Sequence, residues 1–160
     1  MGWMEQAAIV GQVALAGLLG GAIGGERESA GKAAGLRTHM FIAMAATFFV
    51  VLSKALVVWF AQTLPADSFR ADPIGVIQAI VVGISFIGAG MIIFRPEQGG
   101  VEGLTTASST LLVSAIGIAV GIGELVLATG VTVLTLVVLL GVRRIEAMIR
   151  KHAARHLHDK

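Results

Sequence analysis

The chain of 160 residues has a formal net charge of +2, a mean hydropathy of +0.86, and 56% hydrophobic against 14% charged residues. Charged residues make up roughly a quarter of an ordinary soluble domain, so this composition excludes that class and predicts a membrane protein. The chain contains no cysteine, which excludes disulfides and thiolate metal sites.

The first two apolar runs predict two membrane spans. Residues 6–25 carry no charge and have the length of about 20 residues that a helix needs to cross a bilayer. No basic residue precedes them, so we expect a retained span and not a cleaved signal peptide. Residues 39–61 predict the second span, which ends near Trp59, an interfacial aromatic residue. Lys54 lies inside it and either extends to the outer interface or pairs with Glu124.

A polar connection then leads to the third span. Asp72 predicts a helix N-cap and Pro73 the first helical position, so we expect a helix over residues 74–94. Between Gly103 and Val142 the only charge is Glu124, and one helix of that length would be about twice as long as a bilayer is thick.

A turn at "GIGE", residues 121–124, divides that long run into spans over 104–122 and 125–142. The predicted fold class is therefore all-α, a polytopic protein with five transmembrane helices. Residues 1–142 form the predicted transmembrane domain. Residues 143–160 form a short basic amphipathic tail suited to anionic lipid. His152 and His156 in this tail are too few for a complete zinc site.

Basic residues predict the orientation. Five spans put the two chain ends on opposite sides, and one side collects nearly all of the Lys and Arg residues of the links and the tail, namely Arg27, Lys32, Arg37, Arg95, Arg143, Arg144, Arg150, Lys151, Arg155 and Lys160. The other side has only Arg70. Since the basic side faces the cytoplasm, we expect the N-terminus outside and the C-terminus in the cytoplasm.

An internal repeat emerges when the chain is shifted by 68 positions. Gly20 then meets Gly88, Arg27 meets Arg95, and "GLRT" at 35–38 meets "GLTT" at 103–106. This pattern predicts a duplicated helical hairpin whose two copies cross the membrane in the same direction, as parallel repeats do in some transporters.

The spacing of the glycines predicts close helix packing, because two helix backbones can approach each other closely where a glycine leaves no side chain between them. The predicted packing positions are Gly17, Gly20, Gly21, Gly24, Gly25, Gly88 and Gly90. A second interpretation of "GISFIGAG", residues 83–90, is a loosened helix whose carbonyl groups face an ion or a substrate.

Three segments together resemble one family, the MgtC/SapB family of bacterial inner-membrane proteins. They are "GAIGGERESAGKAAGLRTHMFIAMAA", "DPIGVIQAIVVGISFIGAGMII" and "VEGLTTASSTLLVSAIGIAVGIG", and the resemblance covers nearly all of residues 15–145. The motifs that carry it are Glu26-Arg27-Glu28, Gly35-Leu36-Arg37-Thr38-His39, Asp72-Pro73, Gln78, Gly88-Ala89-Gly90 and Gly103-Leu104-Thr105-Thr106-Ala107.

The resemblance implies a function in magnesium homeostasis and in growth under magnesium limitation, sometimes in survival inside host cells. For one branch of the family it implies binding and restraint of the membrane ATP synthase. The chain departs from the family pattern at Gly75, Ser85 and Leu112. Many members also carry a soluble C-terminal domain, so we expect a short form, and the functions that depend on that domain are not carried over to it.

Polar residues between the first two spans are candidates for a site: Glu26, Arg27, Glu28, Arg37, Thr38 and His39. In one interpretation they are interfacial, with paired charges and Thr38 capping its helix. In the other, Glu26 and Arg27 form a buried network with Arg37 and Arg95, because intramembrane charges are costly and usually functional. Thr105 and Thr106, the repeat counterparts of Arg37 and Thr38, would add hydroxyl groups.

Magnesium prefers hard oxygen ligands, so the resemblance makes Glu26, Glu28 and Asp72 the candidate metal ligands. The predicted topology puts Asp72 on the outer side and both glutamates on the inner side. These three side chains therefore cannot form a single site, and helix capping is the favoured role of Asp72.

Three functional classes remain. The first is a regulator of a membrane partner, with an exposed small-residue face on span one. The second is an oligomeric channel or carrier for magnesium or another ion, in which Glu26, Arg37 and Asp72 face a water-filled path. The third, an intramembrane enzyme, lacks a convincing nucleophile and base, so no catalytic residue is predicted. Expected partners are the lipid bilayer, further copies of the chain and a membrane protein such as ATP synthase, but no nucleic acid. No cofactor is expected except Mg²⁺ as ligand or transported ion.

Overall fold

A computed structural model describes residues 2–65, 70–95 and 100–158; the side chains of residues 94, 95, 146, 147 and 150–158 lie outside this description. Its helices are α1 Trp3–Ser29, α2 Leu36–Thr63, α3 Pro73–Met91, α4 Leu104–Ile122 and α5 Leu125–His158. In the described chain, five helical segments are long and apolar enough to cross a membrane, with Leu125–Ile145 as the spanning part of α5. The predicted helical membrane fold is confirmed.

A short β-hairpin is the one described departure from this helical fold. The third span was predicted to reach residue 94, but α3 ends at Met91, and β1 Ile93–Arg95 pairs antiparallel with β2 Gly100–Glu102. Apolar residues continue past the helix end, so hydrophobicity alone could not locate it. Gly103 follows β2 with a φ of 91°, and a side chain there would overlap the Met91 carbonyl. This tight turn returns the chain to the start of α4.

Local signals end and begin several helices. At the end of α1, Gly31 has a φ of 66°, and the amides of Gly31 and Lys32 donate to carbonyls of the last turn, which is the Schellman arrangement. Gly123 ends α4 in the same way, at the predicted turn. The Asp72 carboxylate accepts a 2.9 Å hydrogen bond from the amide of Gly75, so it caps α3 as predicted.

Helix α4 lies at the centre of the bundle. It contacts α1, α2, α3 and α5, and it is the most buried of the five spans. The main core cluster joins residues of α1, α2, α4 and α5, namely Ala16, Ile23, Ile42, Ala43, Val113, Ile116, Ala119, Val120 and Ala128. Small side chains predominate, so the helices approach closely in a setting where lipid removes the usual hydrophobic drive for association.

Helices α2 and α4 run parallel, joined by a buried 2.7 Å hydrogen bond from the Thr47 hydroxyl to the Gly117 carbonyl. Helix α1 packs antiparallel against α2. This arrangement gives the bundle two ends. The end that contains Arg27, Lys32, Thr105 and Arg143 is called the basic end below, and the opposite end, with Lys54 and Asp72, is called the far end.

The predicted duplication has a counterpart in the helix contacts. A Cβ atom added at Gly20 would lie 2.6 Å from the His39 carbonyl oxygen, and one added at Gly88 would contact Ala107. Residues 88 and 107 are 68 positions after 20 and 39 respectively. The two helical hairpins therefore share this close approach, which supports the predicted repeat.

The glycine face of α1 is covered by α2. Side chains added at Gly17, Gly20, Gly21 or Gly24 would all meet residues of α2 or of the turn before it. The prediction that this face is exposed to a partner is wrong, because α2 already uses it. A Cβ atom at Gly25 or Gly90, by contrast, would have no neighbour within 4 Å.

Lys54 binds the end of a neighbouring helix. Its ammonium donates a 2.9 Å hydrogen bond to the carbonyl of Gly121, in the last turn of α4. A cation stabilises the negative end of a helix dipole, and this position suits it. The alternative ion pair with Glu124 does not form between these two described residues.

The predicted boundary between the membrane domain and the tail, at residue 143, lies within α5, whose helix continues without a break to His158. His152 and His156 fall outside the described side chains.

We expect Gly20→Ala to destabilise the folded protein in detergent by about 1–3 kcal/mol, because the new methyl group overlaps the backbone of α2. Gly25→Ala on the same helix is the matched control and should leave the unfolding midpoint unchanged or slightly raised. Equal midpoints for the two variants would contradict the packing of α1 on α2.

Candidate functional site

The predicted polar residues converge at the basic end, where the last turn of α1, the first turns of α2 and α4, and the last spanning turns of α5 meet. Glu26 and Arg27 lie in the last turns of α1, after the glycines that contact α2, and both are buried. The turn at Gly31 reverses the chain, so Arg37 and His39 return to the same end.

Glu26 and Arg27 form a buried ion pair. The two residues are 8% and 4% exposed, and the Arg27 Nε donates a 2.6 Å hydrogen bond to Glu26 Oε2, which a second guanidinium nitrogen also contacts. Mutual neutralisation removes most of the cost of placing either charge away from water. The structure thus contains the buried pair on which the predicted network depends.

Arg143, which sequence reasoning assigned only to the tail, is the third member of this network. Its guanidinium lies 3.8 Å from Glu26 Oε1, an ion-pair distance that is too long for a hydrogen bond. Glu26 Oε1 is buried and accepts no hydrogen bond within the described chain. The sequence did offer one signal for this contact, because Arg143 comes directly after the last apolar run and is predicted to lie on the same side of the membrane as Glu26.

Arg37, predicted to join the network, is exposed and makes neither a hydrogen bond nor an ion pair with any described residue. The prediction that Arg37 completes the network is wrong, because its exposed side chain makes no ion pair or hydrogen bond with Glu26 or Arg27. Arg95 falls in β1, and its side chain is outside the described part.

Glu28 caps α2 from outside the helix. Its Oε2 accepts a 2.8 Å hydrogen bond from the amide of Leu36, one of the free donors at the start of that helix. The prediction that Thr38 caps α2 is wrong, since the helix begins at Leu36 and Thr38 already lies inside its first turn. Glu28 therefore ties the end of α1 to the start of α2.

His39 is fully buried and joins three helices. Its Nδ1 lies 2.9 Å from the Gly35 carbonyl, and its Nε2 lies 3.0 Å from the Ser109 hydroxyl of α4. A carbonyl only accepts, so Nδ1 donates, and in the neutral ring Nε2 accepts from Ser109. The Ser109 hydroxyl also lies 2.8 Å from the Thr106 carbonyl. One hydroxyl proton thus has two acceptors.

The remaining candidates are dispersed. Thr106 is buried beside Ser109, whereas Thr105 is exposed at the start of α4. Gln78 is exposed on α3, and Asp72 caps that helix at the far end. Of the predicted metal ligands, Glu26 is engaged by Arg27 and Glu28 by the start of α2. The described residues contain no group of three side chains that could hold a metal ion.

We expect Glu26→Leu and Arg27→Leu each to lower the free energy of unfolding by about 3–5 kcal/mol, because each leaves its partner buried and uncompensated. The double variant should lose much less than the sum of the two. A double-mutant cycle by denaturant titration in mixed micelles measures the coupling. Additive losses would show that the two charges do not interact.

Glu28→Ala should destabilise the protein by about 1 kcal/mol, the usual value of a lost helix cap. Glu28→Gln is the matched control, because its amide oxygen can still accept from the Leu36 amide, and it should retain most of the stability. Thermal unfolding in detergent compares the two variants. A loss with Gln as large as with Ala would show that the hydrogen bond has no role.

Comparison with known proteins places these residues in one family. The model of the "MgtC family" matches residues 13–148. "Putative magnesium transporter YhiD" of Escherichia coli (strain K12) is 42% identical over 125 residues, which cover 78% of this chain and 56% of that protein. "Protein MgtC" of Brucella abortus (strain 2308) is 38% identical, covering 86% and 52%. "Protein SrpB" of Synechococcus elongatus is 33% identical, covering 82% and 73%.

The chain spans about half the length of the first two of these relatives. No solved structure matches it. The family model, which covers most of the chain, and the similarity to curated relatives over more than three quarters of it agree with the motifs of α1, α2, α3 and α4. The chain is a multi-pass membrane protein and belongs to the MgtC family.

Proposed function

We propose that this protein serves magnesium homeostasis in the bacterial inner membrane by regulating a membrane partner when magnesium is scarce, and that it does not conduct ions through its own bundle. The N-terminus lies outside and the basic end faces the cytoplasm, in accordance with the positive-inside rule. The E. coli relative is named as a magnesium transporter. That name supports the link to magnesium.

One observation carries the proposal: a packed apolar layer lies between the two ends of the bundle. Ala16, Ala43 and Val113 contribute to it from α1, α2 and α4, and none of them is exposed. Transporters hold their substrate near the bilayer midplane, on broken helices and polar groups that line a cavity. Here the helices are continuous through that depth.

The buried hydroxyl groups near this layer are already engaged. Thr47 donates to the Gly117 carbonyl of α4, and Thr110 and Ser114 donate to carbonyls of the preceding turn of their own helix. They therefore stabilise the packing of the described helices. Groups used in this way favour a closed bundle over a hydrated path.

A carrier function is the second candidate, and Glu26 favours it. Its Oε1 atom is buried and without a described hydrogen-bond donor, which is costly unless a cation or a proton occupies it at some stage. Magnesium carried past Glu26 would have to displace Arg27 or Arg143. The packed layer beyond Ile23 opposes onward movement in a single chain.

Magnesium flux into proteoliposomes that contain only the purified protein separates the two candidates. With a trapped magnesium indicator, we expect the same rate as in empty liposomes, because the apolar layer blocks the bundle. Flux that disappears in Glu26→Gln but persists in Glu28→Gln would contradict the regulator and establish a carrier that uses Glu26.

The partner is tested in membranes from magnesium-starved cells. ATP synthase, which the family resemblance implies, is the first partner to test, by site-specific photo-crosslinking from the exposed face of α3, for example at Phe86. A crosslink to a synthase subunit that is absent at high magnesium is the expected result. No crosslink from any exposed position of α3 or α5 would contradict a membrane partner on these faces.

A further inference from the structure

A cavity of about 340 Å³ opens at the basic end, between the last turn of α1, the start of α4 and the spanning end of α5. Its walls are formed by Arg27, Ser29, Ala30, Lys32, Thr105, Val138, Leu139, Val142 and Arg143. This volume is at the lower end of the range for small-ligand pockets. None of the roles assigned above uses the space.

The cavity is cationic. Three of its lining residues, Arg27, Lys32 and Arg143, carry positive charge, and none of the lining residues is acidic. Glu26 neutralises Arg27 from the protein side but lies too far from Arg143 for a hydrogen bond. Within the described chain, the Lys32 ammonium makes neither a hydrogen bond nor an ion pair. The cavity thus retains positive charge that an anion can compensate.

Hydrogen-bond donors add to this charge. Thr105, the second residue of α4, lines the cavity and brings a hydroxyl group near the N-terminus of that helix. Free amides and the positive end of a helix dipole favour phosphate oxygens. Guanidinium and ammonium groups together with these donors match the oxygens of a phosphate group.

The rest of the lining that α5 supplies, apart from Arg143, is apolar. Val138, Leu139 and Val142 of α5 lie beside the cations, in the last turns of the span that ends at Ile145. A free phosphate ion gains no favourable contact from an apolar surface, whereas a phospholipid carries acyl chains close to its phosphate group that can pack against it. Basic pockets between transmembrane helices at the bilayer interface bind anionic headgroups in this way.

We propose that this cavity binds a phosphate group, and that its source is an anionic phospholipid whose headgroup contacts Lys32 and Arg143 and whose acyl chain lies on the α5 wall. A bound lipid joins α1 to α5 at the end of the bundle where Glu26 Oε1 has no hydrogen-bond donor within the described chain. This binding is independent of whether the protein regulates a partner or carries an ion.

Thermal unfolding of the full chain in a neutral detergent tests the proposal. The probes are short-chain phosphatidylglycerol, phosphatidylcholine of the same chain length, and inorganic phosphate, each titrated separately. We expect phosphatidylglycerol to raise the unfolding midpoint in a saturable way and the other two to leave it nearly unchanged. An equal rise with phosphatidylcholine would overturn headgroup recognition, and an equal rise with inorganic phosphate would overturn the lipid as the source.

Matched variants locate the site. Lys32→Gln with Arg143→Gln should weaken phosphatidylglycerol binding by about tenfold or more, because two charge-assisted contacts are lost. Arg37→Gln with Arg144→Gln removes the same charge from exposed residues outside the cavity and should bind as the unmodified protein does. Equal weakening in both pairs would show general electrostatic attraction and overturn the site. If the double variant does not fold, Lys32→Gln alone tests the site, because Lys32 lies in an exposed turn. It should also weaken phosphatidylglycerol binding.

Discussion

Close contact between helix backbones is the constraint on which the rest of this structure depends. At Gly20 the backbone of α1 lies against the His39 carbonyl of α2, and at Gly117 the backbone of α4 lies against Ala43 of the same helix. Only small residues permit this approach, and the contacts it creates replace the hydrophobic drive that is absent in lipid. Helix α2 thus connects α1 and α4 into one unit, and α3 and α5 add to α4 from its other sides.

This packing also determines how polar groups can exist inside the bundle. A layer of fully buried small and branched residues leaves no room for water, so each charge at the basic end needs a partner within the protein. Arg27 has that partner in Glu26, and the neutral but polar ring of His39 forms hydrogen bonds with Gly35 and Ser109. Lys32 and Arg143 sit where the apolar layer ends, and their charges face the cavity instead. The close helix packing therefore has two consequences: it excludes water from the middle of the bundle, and it leaves the positive charges of Lys32 and Arg143 without close partners at the basic end.

The sequence predicted the features that depend on local signals. Span lengths follow from hydrophobicity and bilayer thickness, the turn before Glu124 follows from a run too long for one span, and Asp72 followed by Pro73 is a local helix start. The offset of 68 residues predicted a duplicated hairpin, and the close approach of Gly20 to His39 and of Gly88 to Ala107 supports that repeat.

Features that depend on residues distant in the chain were not predictable in this way. Glu28 caps a helix that begins eight residues later, across a turn whose geometry is set by Gly31. Arg143 meets Glu26 only because α5 packs beside α1, and Lys54 finds a carbonyl of α4 instead of a carboxylate. The end of α3 was missed for another reason, since the apolar residues after Met91 suit a strand as well as a helix.

Cysteine accessibility measures whether the bundle is closed to water between its two ends. The chain has no cysteine of its own, so single substitutions can be labelled without background. Ser114→Cys lies in the packed layer and is fully buried, whereas Thr105→Cys lies at the basic end and Glu5→Cys at the far end. With a membrane-impermeant maleimide, we expect labelling of each end position from one side only and none at residue 114 from either side. Rapid labelling at residue 114, from either side, would contradict this expectation and reveal a water-filled path through the protein.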